Sequence, residues 1–460
     1  VLATIYRDTT FTATKGKFTT KEEGEQAFAT IEGKPFTVTD VQKKRGTEAP
    51  PHLYDLTSLQ VDCNRKFGMS ADMTLKIIQT LYERKLTTYP RVDTQYLSDD
   101  IYPKCGGILN GIKGYDQLLT ALRGKPLKKS KKVFDTSKVT DHHAIIPTGV
   151  PAQGLTDMER HVYDLIARRF ISVFYPDCKF ATTTVMGDVD GIEFKATGKL
   201  ILDPGWRAVY AKDAADRQTA DDGDAKPQDE ERTLPAFEKG ESGEHTPTLT
   251  EKWTTPPKYY TEATLLRAME TAGKFVDNEE LRAALKENGI GRPSSRAGII
   301  ETLFKRHYIR RERKNLVATA TGIELIDLIK EELLKSCELT GIWEKKLRDI
   351  EHKTYDPAQF ISELKEQIAT IVHDVLSDNS NRRVTILTVE DLKKKTKRKT
   401  AAKPKATTAT KSAAKPGDAD GVKPGDVCPV CGKGVVIKGK TAYGCSRWKE
   451  GCSFRLPFEQ

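Results

Sequence analysis

The stretch Leu86-Thr87-Thr88-Tyr89-Pro90-Arg91-Val92-Asp93-Thr94 sets a tyrosine two residues before an arginine, with an aspartate two residues further on. A phenol normally keeps its proton, with a pKa of about 10. A fixed cation nearby favours the phenolate, and a guanidinium also grips a phosphate through two parallel hydrogen bonds. Tyrosine and arginine so spaced suit an oxygen nucleophile that attacks a phosphodiester and keeps the phosphate as an ester. Just upstream, Met73 to Tyr82 carries apolar residues at Leu75, Ile78, Leu81 and Tyr82, the spacing of a helix face. Pro90 forbids continuation of that helix, so the tyrosine is expected on a loop held by a rigid element.

Three further stretches carry chemistry. Asp141-His142-His143-Ala144-Ile145-Ile146-Pro147-Thr148 opens an apolar run with two histidines, side chains that bind phosphate or hand a proton to a leaving oxygen. Asn288-Gly289-Ile290-Gly291-Arg292-Pro293-Ser294-Ser295-Arg296 leads into a helical pattern from Ala297, with Ser294 or Ser295 marking its start. Backbone amides at a helix start beside an arginine make a phosphate site. Near the C-terminus, Cys428 and Cys431 are followed by Cys445 and Cys452, four thiolates suited to a structural zinc ion. So short a segment has too little apolar mass to fold without a staple. The bland readings of these stretches are a solvated turn, a core histidine pair and a well-capped helix.

In this order, the Tyr-Pro-Arg, His-His-Ala-Ile-Ile-Pro and Gly-Ile-Gly-Arg-Pro-Ser-Ser motifs resemble the type IA DNA topoisomerases, in wording most like the topoisomerase III branch. The resemblance spans most of residues 1–380, and the cysteine module is consistent with it. It implies a mixed α+β, multidomain toroidal gate: a β-rich arch, helical domains and a C-terminal zinc ribbon. Tyr89 would become joined to the 5′ phosphate of a single DNA strand, with Arg91 on the scissile phosphate and His142 bonded to a phosphate beside it. Asp93 and His143 would support them, and Arg292, Ser294 and Ser295 would contact DNA. Where family members often carry Ser-Thr-Tyr, this chain has Ser294-Ser295-Arg296, which keeps the hydroxyl and loses the aromatic ring.

The same resemblance implies structural zinc on Cys428, Cys431, Cys445 and Cys452, and magnesium held by acids of an N-terminal domain with no counterpart here. The chain, which opens on Val1, therefore reads as the C-terminal two-thirds of such an enzyme, cleaving poorly alone. No ATP is needed, because one phosphodiester is exchanged for another of similar energy. The expected partners are single-stranded DNA and, as a further candidate, a helicase. The expected state is a monomer in the cytoplasm, associated with the nucleoid.

Composition agrees with a polyanion partner: 460 residues carry 75 Lys+Arg against 65 Asp+Glu, a net charge of +10. No apolar run approaches the roughly 18 residues that a membrane helix needs. The expected domains are an arch over 1–45 and 170–255, a helical tyrosine domain over 46–169 and a helical DNA-groove domain over 256–380. A basic linker over 381–425 and the zinc ribbon over 426–460 complete the chain. Residues 1–45 read as short strands and turns, including Phe18-Thr19-Thr20, and Gly114 to Phe170 reads as mainly helical. Asp190-Gly191 reads as a hairpin turn, and the stretch 213–232 as an exposed acidic loop. Helices are expected over 262–269, 278–286, 295–306, 323–334 and 358–375.

Two matches are decoys. Gly434 to Thr441 fits the phosphate-loop pattern but lies between the cysteine pairs, and Asp188, Asp190 and Glu193 imitate a magnesium motif at a hairpin turn. The alternative function is a non-enzymatic module that binds single-stranded DNA. A tyrosine recombinase would place its tyrosine late in the chain, and a nicking relaxase would hold its metal on a His–apolar–His triplet.

Overall fold

The computed structural model describes residues 1–211, 232–378, 384, 425–428, 430–438, 442–447, 452 and 454–457. The predicted acidic loop, apart from Arg232, and nearly all of the predicted basic linker lie outside the described residues. The chain divides into two compact units, residues 1–387 and 388–460.

In the first unit, β1 (Leu2–Tyr6), β2 (Thr9–Ala13), β3 (Phe36–Glu48), β4 (Cys178–Val189), β5 (Ile192–Asp203), β6 (Ser242–Gly243) and β7 (Thr246–Leu249) build one sheet. Its order is β6-β3-β4-β5-β2-β1-β7, antiparallel throughout. The edge strands β6 and β7 are separated in sequence only by Glu244 and His245, so the sheet curls until its two edges meet. Phe11, Phe36, Phe194 and Phe237 pack into the core beneath it. The β4–β5 hairpin turns on Asp190 and Gly191 at φ 51° and 86°, as the Asp-Gly pair predicts. Asp188 Oδ1 accepts from the Gly191 N–H at 3.0 Å, so this acid serves the turn.

Phe18 to Thr20 is not a strand, contrary to the sequence reading. Thr20 accepts from the Glu23 N–H and starts helix α1 (Lys21–Ile31). The signal was Thr-x-x-Glu, the spacing of a capping box, with Phe28 and Ile31 supplying the apolar side.

The sheet stands on a helical body made of α2 (Leu56–Phe67), α3 (Ala71–Glu83), α4 (Cys105–Gly111), α5 (Asp116–Thr120) and α6 (Asp157–Ser172). Asp55 and Ser58 form a capping box at the start of α2, and Gly68 closes it at φ 68°. The stretch from Gly114 to Phe170 is mostly irregular before Asp157, where Pro147, Gly149, Pro151 and Gly154 interrupt any helix. Helix α6 runs past the expected boundary at 169/170 because Phe170 and Ile171 are fully buried in the helical core. The joint to the sheet is polar: the Trp206 indole donates to the Glu48 carbonyl at 2.9 Å, and Arg207 pairs with the Glu48 carboxylate at 2.6 Å.

A third group follows: α7 (Glu262–Glu270), α8 (Glu279–Asn288), α9 (Pro293–Lys305), the hairpin β8 (Ile309–Glu312) and β9 (Asn315–Ala318), α10 (Ala320–Leu328), α11 (Glu338–Glu351) and α12 (Pro357–Leu376). The hairpin and α11 were not anticipated, and the helix expected to reach Leu334 stops at Leu328. This group meets α2 and α3 through a small apolar cluster that includes Val61, Ala71, Leu266 and Ile300. Two charged side chains, each only 3% exposed, flank it. Glu262 accepts from the Ala71 N–H at 2.9 Å and from Arg311 at 2.7 Å. Arg296 donates to Thr57 Oγ1 at 2.8 Å, and burial lowers its pKa from the ordinary arginine value.

In the second unit, β10 (Val436–Lys438), β11 (Ala442–Cys445) and β12 (Arg455–Pro457) form a three-stranded sheet in that order. Within the phosphate-loop imitation, Val436–Lys438 is strand, while 439–441 lie outside the described residues. Gly434 must lack a side chain, since a Cβ there would lie 2.4 Å from Cys445 Sγ.

Glu262→Ala is expected to strand the buried Ala71 N–H and lower unfolding free energy by about 1–3 kcal/mol. Chemical denaturation reads this directly, and Glu262→Gln, which keeps an acceptor, should lie nearer the parent.

Candidate active site

The loop that carries Tyr89 begins where α3 is stopped. Lys85 adopts φ 58°, its N–H donates to the Tyr82 carbonyl at 2.8 Å, and the Leu86 N–H donates to the Leu81 carbonyl at 2.9 Å. This is a Schellman closure, and buried Leu81 and Leu86 supply its apolar contact. The closure ends the helix at Glu83, so Pro90 arrives too late to be the cause.

The freed chain is then laced to residues 144–148. The Thr148 N–H donates to the Leu86 carbonyl at 3.1 Å, and the Thr88 N–H donates to the Ile146 carbonyl at 2.9 Å. The Thr88 hydroxyl does two jobs: it donates to the Ala144 carbonyl at 3.2 Å and accepts from the Ile146 N–H at 3.0 Å. From behind, the Ile145 N–H donates to the Tyr54 carbonyl at 2.8 Å and the Ala144 N–H to the Tyr96 carbonyl at 2.9 Å. Ala144, Ile145 and Ile146 are buried, so the apolar run is the anchor that holds its two histidines at the rim.

This lacing brings together Tyr89 and His142, which lie far apart in sequence. Their ring centroids are 4.4 Å apart at an interplanar angle of 38°. Tyr82, from the last turn of α3, meets the Tyr89 ring edge-on at 5.5 Å. The Tyr89 hydroxyl makes no hydrogen bond among the described residues. Arg91 is exposed and forms no ion pair among them. Asp93 is also exposed and does not pair with Arg91. His143 is turned to the backbone, with Nδ1 2.8 Å from the Ala144 carbonyl oxygen.

The Gly289–Arg296 motif reaches this loop through the first turn of α2. Arg296 holds Thr57 there, Asp55 accepts from the Gln95 amide at 2.9 Å, and the Leu56 N–H donates to the Val92 carbonyl at 3.1 Å. Helix α9 starts at Pro293 with Arg292 in the cap position, and neither Ser294 nor Ser295 caps it. The fixed φ of proline suits the first helical position. Ser295 Oγ instead donates to the Arg292 carbonyl at 3.0 Å, and the Arg292 side chain is left exposed. Gly289 and Gly291 turn at φ 64° and 68°, and a Cβ on Gly289 would lie 2.3 Å from the Met269 carbonyl oxygen. Position 296, where the resemblance leads one to expect an aromatic ring, holds a buried arginine that joins two helical groups.

In the second unit the sulfur atoms of Cys428, Cys431, Cys445 and Cys452 lie within 4.8 Å of one another. The Gly434 N–H points at Cys431 Sγ at 3.3 Å, and the Arg447 N–H at Cys445 Sγ at 3.4 Å. Backbone N–H groups of Lys433 and Gly434 push the Cys431 thiol down to about 6. Four converging sulfurs with amide donors on them could hold a zinc ion. Trp448 lies outside the described residues, and Tyr443 and Phe454 are half-buried.

Sequence reading missed Thr88, Tyr82 and the Asp55–Gln95 contact. Thr88 was visible as a hydroxyl residue beside the tyrosine, but its partners lie far along the chain.

The site is a tyrosine with an uncommitted hydroxyl, held between two aromatic rings beside an exposed arginine. A family described as DNA topoisomerase matches residues 2–362, and the chain belongs to that family. The chain is 37% identical over 363 residues to a DNA topoisomerase 3 of Bacillus licheniformis, covering 77% of this chain and 49% of the relative. It is 40% identical over 358 residues to a DNA topoisomerase 3 of Bacillus anthracis, covering 75% and 47%. The chain therefore spans about half the length of the curated relatives it matches. Full-length topoisomerase I from Thermotoga maritima shares the fold, with a TM-score of 0.59 at 22% identity over 80% of this chain and 58% of that one.

Thr88→Val is expected to leave the Ile146 N–H unpaired and to take one of two close side-chain partners, Thr88 and His143, from the Ala144 carbonyl, costing about 1–3 kcal/mol. It should also loosen the Tyr89–His142 stack. The loss of ring-current shift on the His142 ring protons in NMR spectra checks this, with Thr88→Ser retaining the shift.

Proposed function

We propose that the chain forms the strand-cleaving and gate portion of a type IA, topoisomerase 3-like enzyme. The observation that carries this reading is the tilted Tyr89–His142 ring contact at 4.4 Å on a loop with exposed Arg91. Tyr89 Oη attacks the phosphorus of a single DNA strand. The bond to the 3′ oxygen breaks, the 5′ phosphate stays on the tyrosine, and the phenolic proton passes by way of solvent or His142 to the leaving oxygen. Arg91 holds the scissile phosphate, as a guanidinium does through paired hydrogen bonds. His142 bonds a neighbouring phosphate, while Asp93 and His143 support the loop and the rim. Arg292, Ser294 and Ser295 hold the strand along its groove.

The curled sheet acts as the arch that swings the tyrosine-bearing body aside while another strand passes. Religation runs the same exchange backward without ATP, relaxing or decatenating DNA. Magnesium, when bound by acids in the part of the relatives that the match does not cover, supplies charge neutralisation at the phosphate. The four cysteines hold structural zinc. No helix among the described residues is long and apolar enough to cross a membrane. We place the protein in the cytoplasm, at the nucleoid, as a monomer on single-stranded DNA, with a helicase as a further partner.

The test mixes the chain with end-labelled single-stranded DNA and magnesium, comparing the parent with Tyr89→Phe. Equal binding by both, with a covalent adduct in the parent only, is the expected pattern. The adduct should be scarce until the part of a relative that the match does not cover is added. An adduct that survives Tyr89→Phe would overturn the assignment. Chelation of zinc should unfold the second unit, seen as new protease cleavage within residues 425–460, because structural zinc supplies its folding energy.

A further inference from the structure

Between β7 and α7 runs Thr250-Glu251-Lys252-Trp253-Thr254-Thr255-Pro256-Pro257-Lys258-Tyr259-Tyr260, and every residue of it is exposed. Trp253 is 84% exposed, Tyr259 64% and Tyr260 46%. Tryptophan is ordinarily among the more deeply covered side chains, so one standing almost wholly in water calls for a physical reason. The segment is not loose at its ends. The Thr250 N–H donates to the Val1 carbonyl at 2.9 Å, and the Tyr260 carbonyl accepts from the Leu316 N–H at 2.6 Å. Pro256-Pro257 stiffens the middle toward an extended, polyproline-like course. Trp253 and Tyr259 are then up to about 19 Å apart at about 3.1 Å per residue, far enough to serve separate bases.

We infer that this strip is a stacking platform for single-stranded DNA, a binding site additional to the Arg292 groove. The inference rests on the function proposed above and deepens it. Its chemistry decides the ligand. Lys252 and Lys258 alternate with the aromatic rings, the combination that tracks a phosphate backbone while offering faces to bases of any sequence. Apart from Pro256 and Pro257 the strip holds no aliphatic side chain, so its apolar area is almost entirely flat ring faces, the shape that bases stack on. The strip feeds directly into Thr261, which caps α7, the helix that carries Glu262 to the Ala71 N–H at the base of α3. A strand stacked here would be tethered to the same framework that carries the tyrosine loop.

The test uses the full chain and a fluorescein-labelled oligothymidylate, read by anisotropy and by quenching of intrinsic tryptophan fluorescence. The chain has four tryptophans, so the difference between parent and Trp253→Phe isolates the signal of Trp253. Trp253→Ala should weaken binding about 5- to 150-fold, the equivalent of one lost base stack. Trp253→Phe, which keeps an aromatic face, should stay near the parent, and Tyr259→Ala should weaken binding in the same direction. Parent binding unchanged in Trp253→Ala and Tyr259→Ala, with no quenching assigned to Trp253, would overturn the platform while leaving the proposed function standing. A parent that does not bind oligothymidylate at all would remove the proposed function, and the platform with it.

Discussion

The Thr88 hydroxyl, bonded at once to the Ala144 carbonyl and the Ile146 N–H, is the contact on which the site depends. It joins two irregular segments that have no regular ladder of their own. A buried or half-buried peptide group must find a partner. Here the partners come from a side chain because neither segment belongs to a sheet. The reach of the lacing extends backward to the Schellman closure of α3 and sideways to Tyr54 and Tyr96. Tyr89 is consequently presented by a loop with the precision of a helix end.

The same economy governs the joints between the larger parts. The sheet is held to the helical body by the Glu48 contacts with Trp206 and Arg207. The helices that follow α7 are held by Glu262 and Arg296 around a small apolar cluster. Charged groups buried at such joints cost desolvation and repay it only with well-aligned partners. They therefore contribute geometry more than stability. Each joint pairs specific groups across it: Glu48 with Trp206 and Arg207, Glu262 with the Ala71 N–H and Arg311, Arg296 with Thr57.

The two decoys show why context decides a motif. Gly434 to Lys438 carries the glycine of a phosphate loop, yet that glycine exists because Cys445 Sγ occupies the space of its Cβ. Asp188 imitates a metal acid and caps a turn. In each case the letters are right and the neighbours are those of a tight turn or a thiolate cluster.

By itself the sequence determined the local features. These are the two-residue Asp190-Gly191 hairpin, the helix that ends short of Tyr89, most of the later helices and the cysteine quartet. Each follows from steric preference or spacing within a few residues. The nucleophile candidate and its arginine were legible for the same reason, as were the two histidines, of which the resemblance singled out His142. Tertiary structure decided how that choice is met: the His142 ring lies tilted against Tyr89 while His143 turns to the backbone. It also decided that Arg296 is a buried strut, and that α9 begins at Pro293 with its serines turned to other work. The partners of His142 and Arg296 are separated from them by long stretches of chain, so burial decides which groups come within reach, whereas the Pro293 start is a local competition in which the fixed φ of proline prevails over a serine cap.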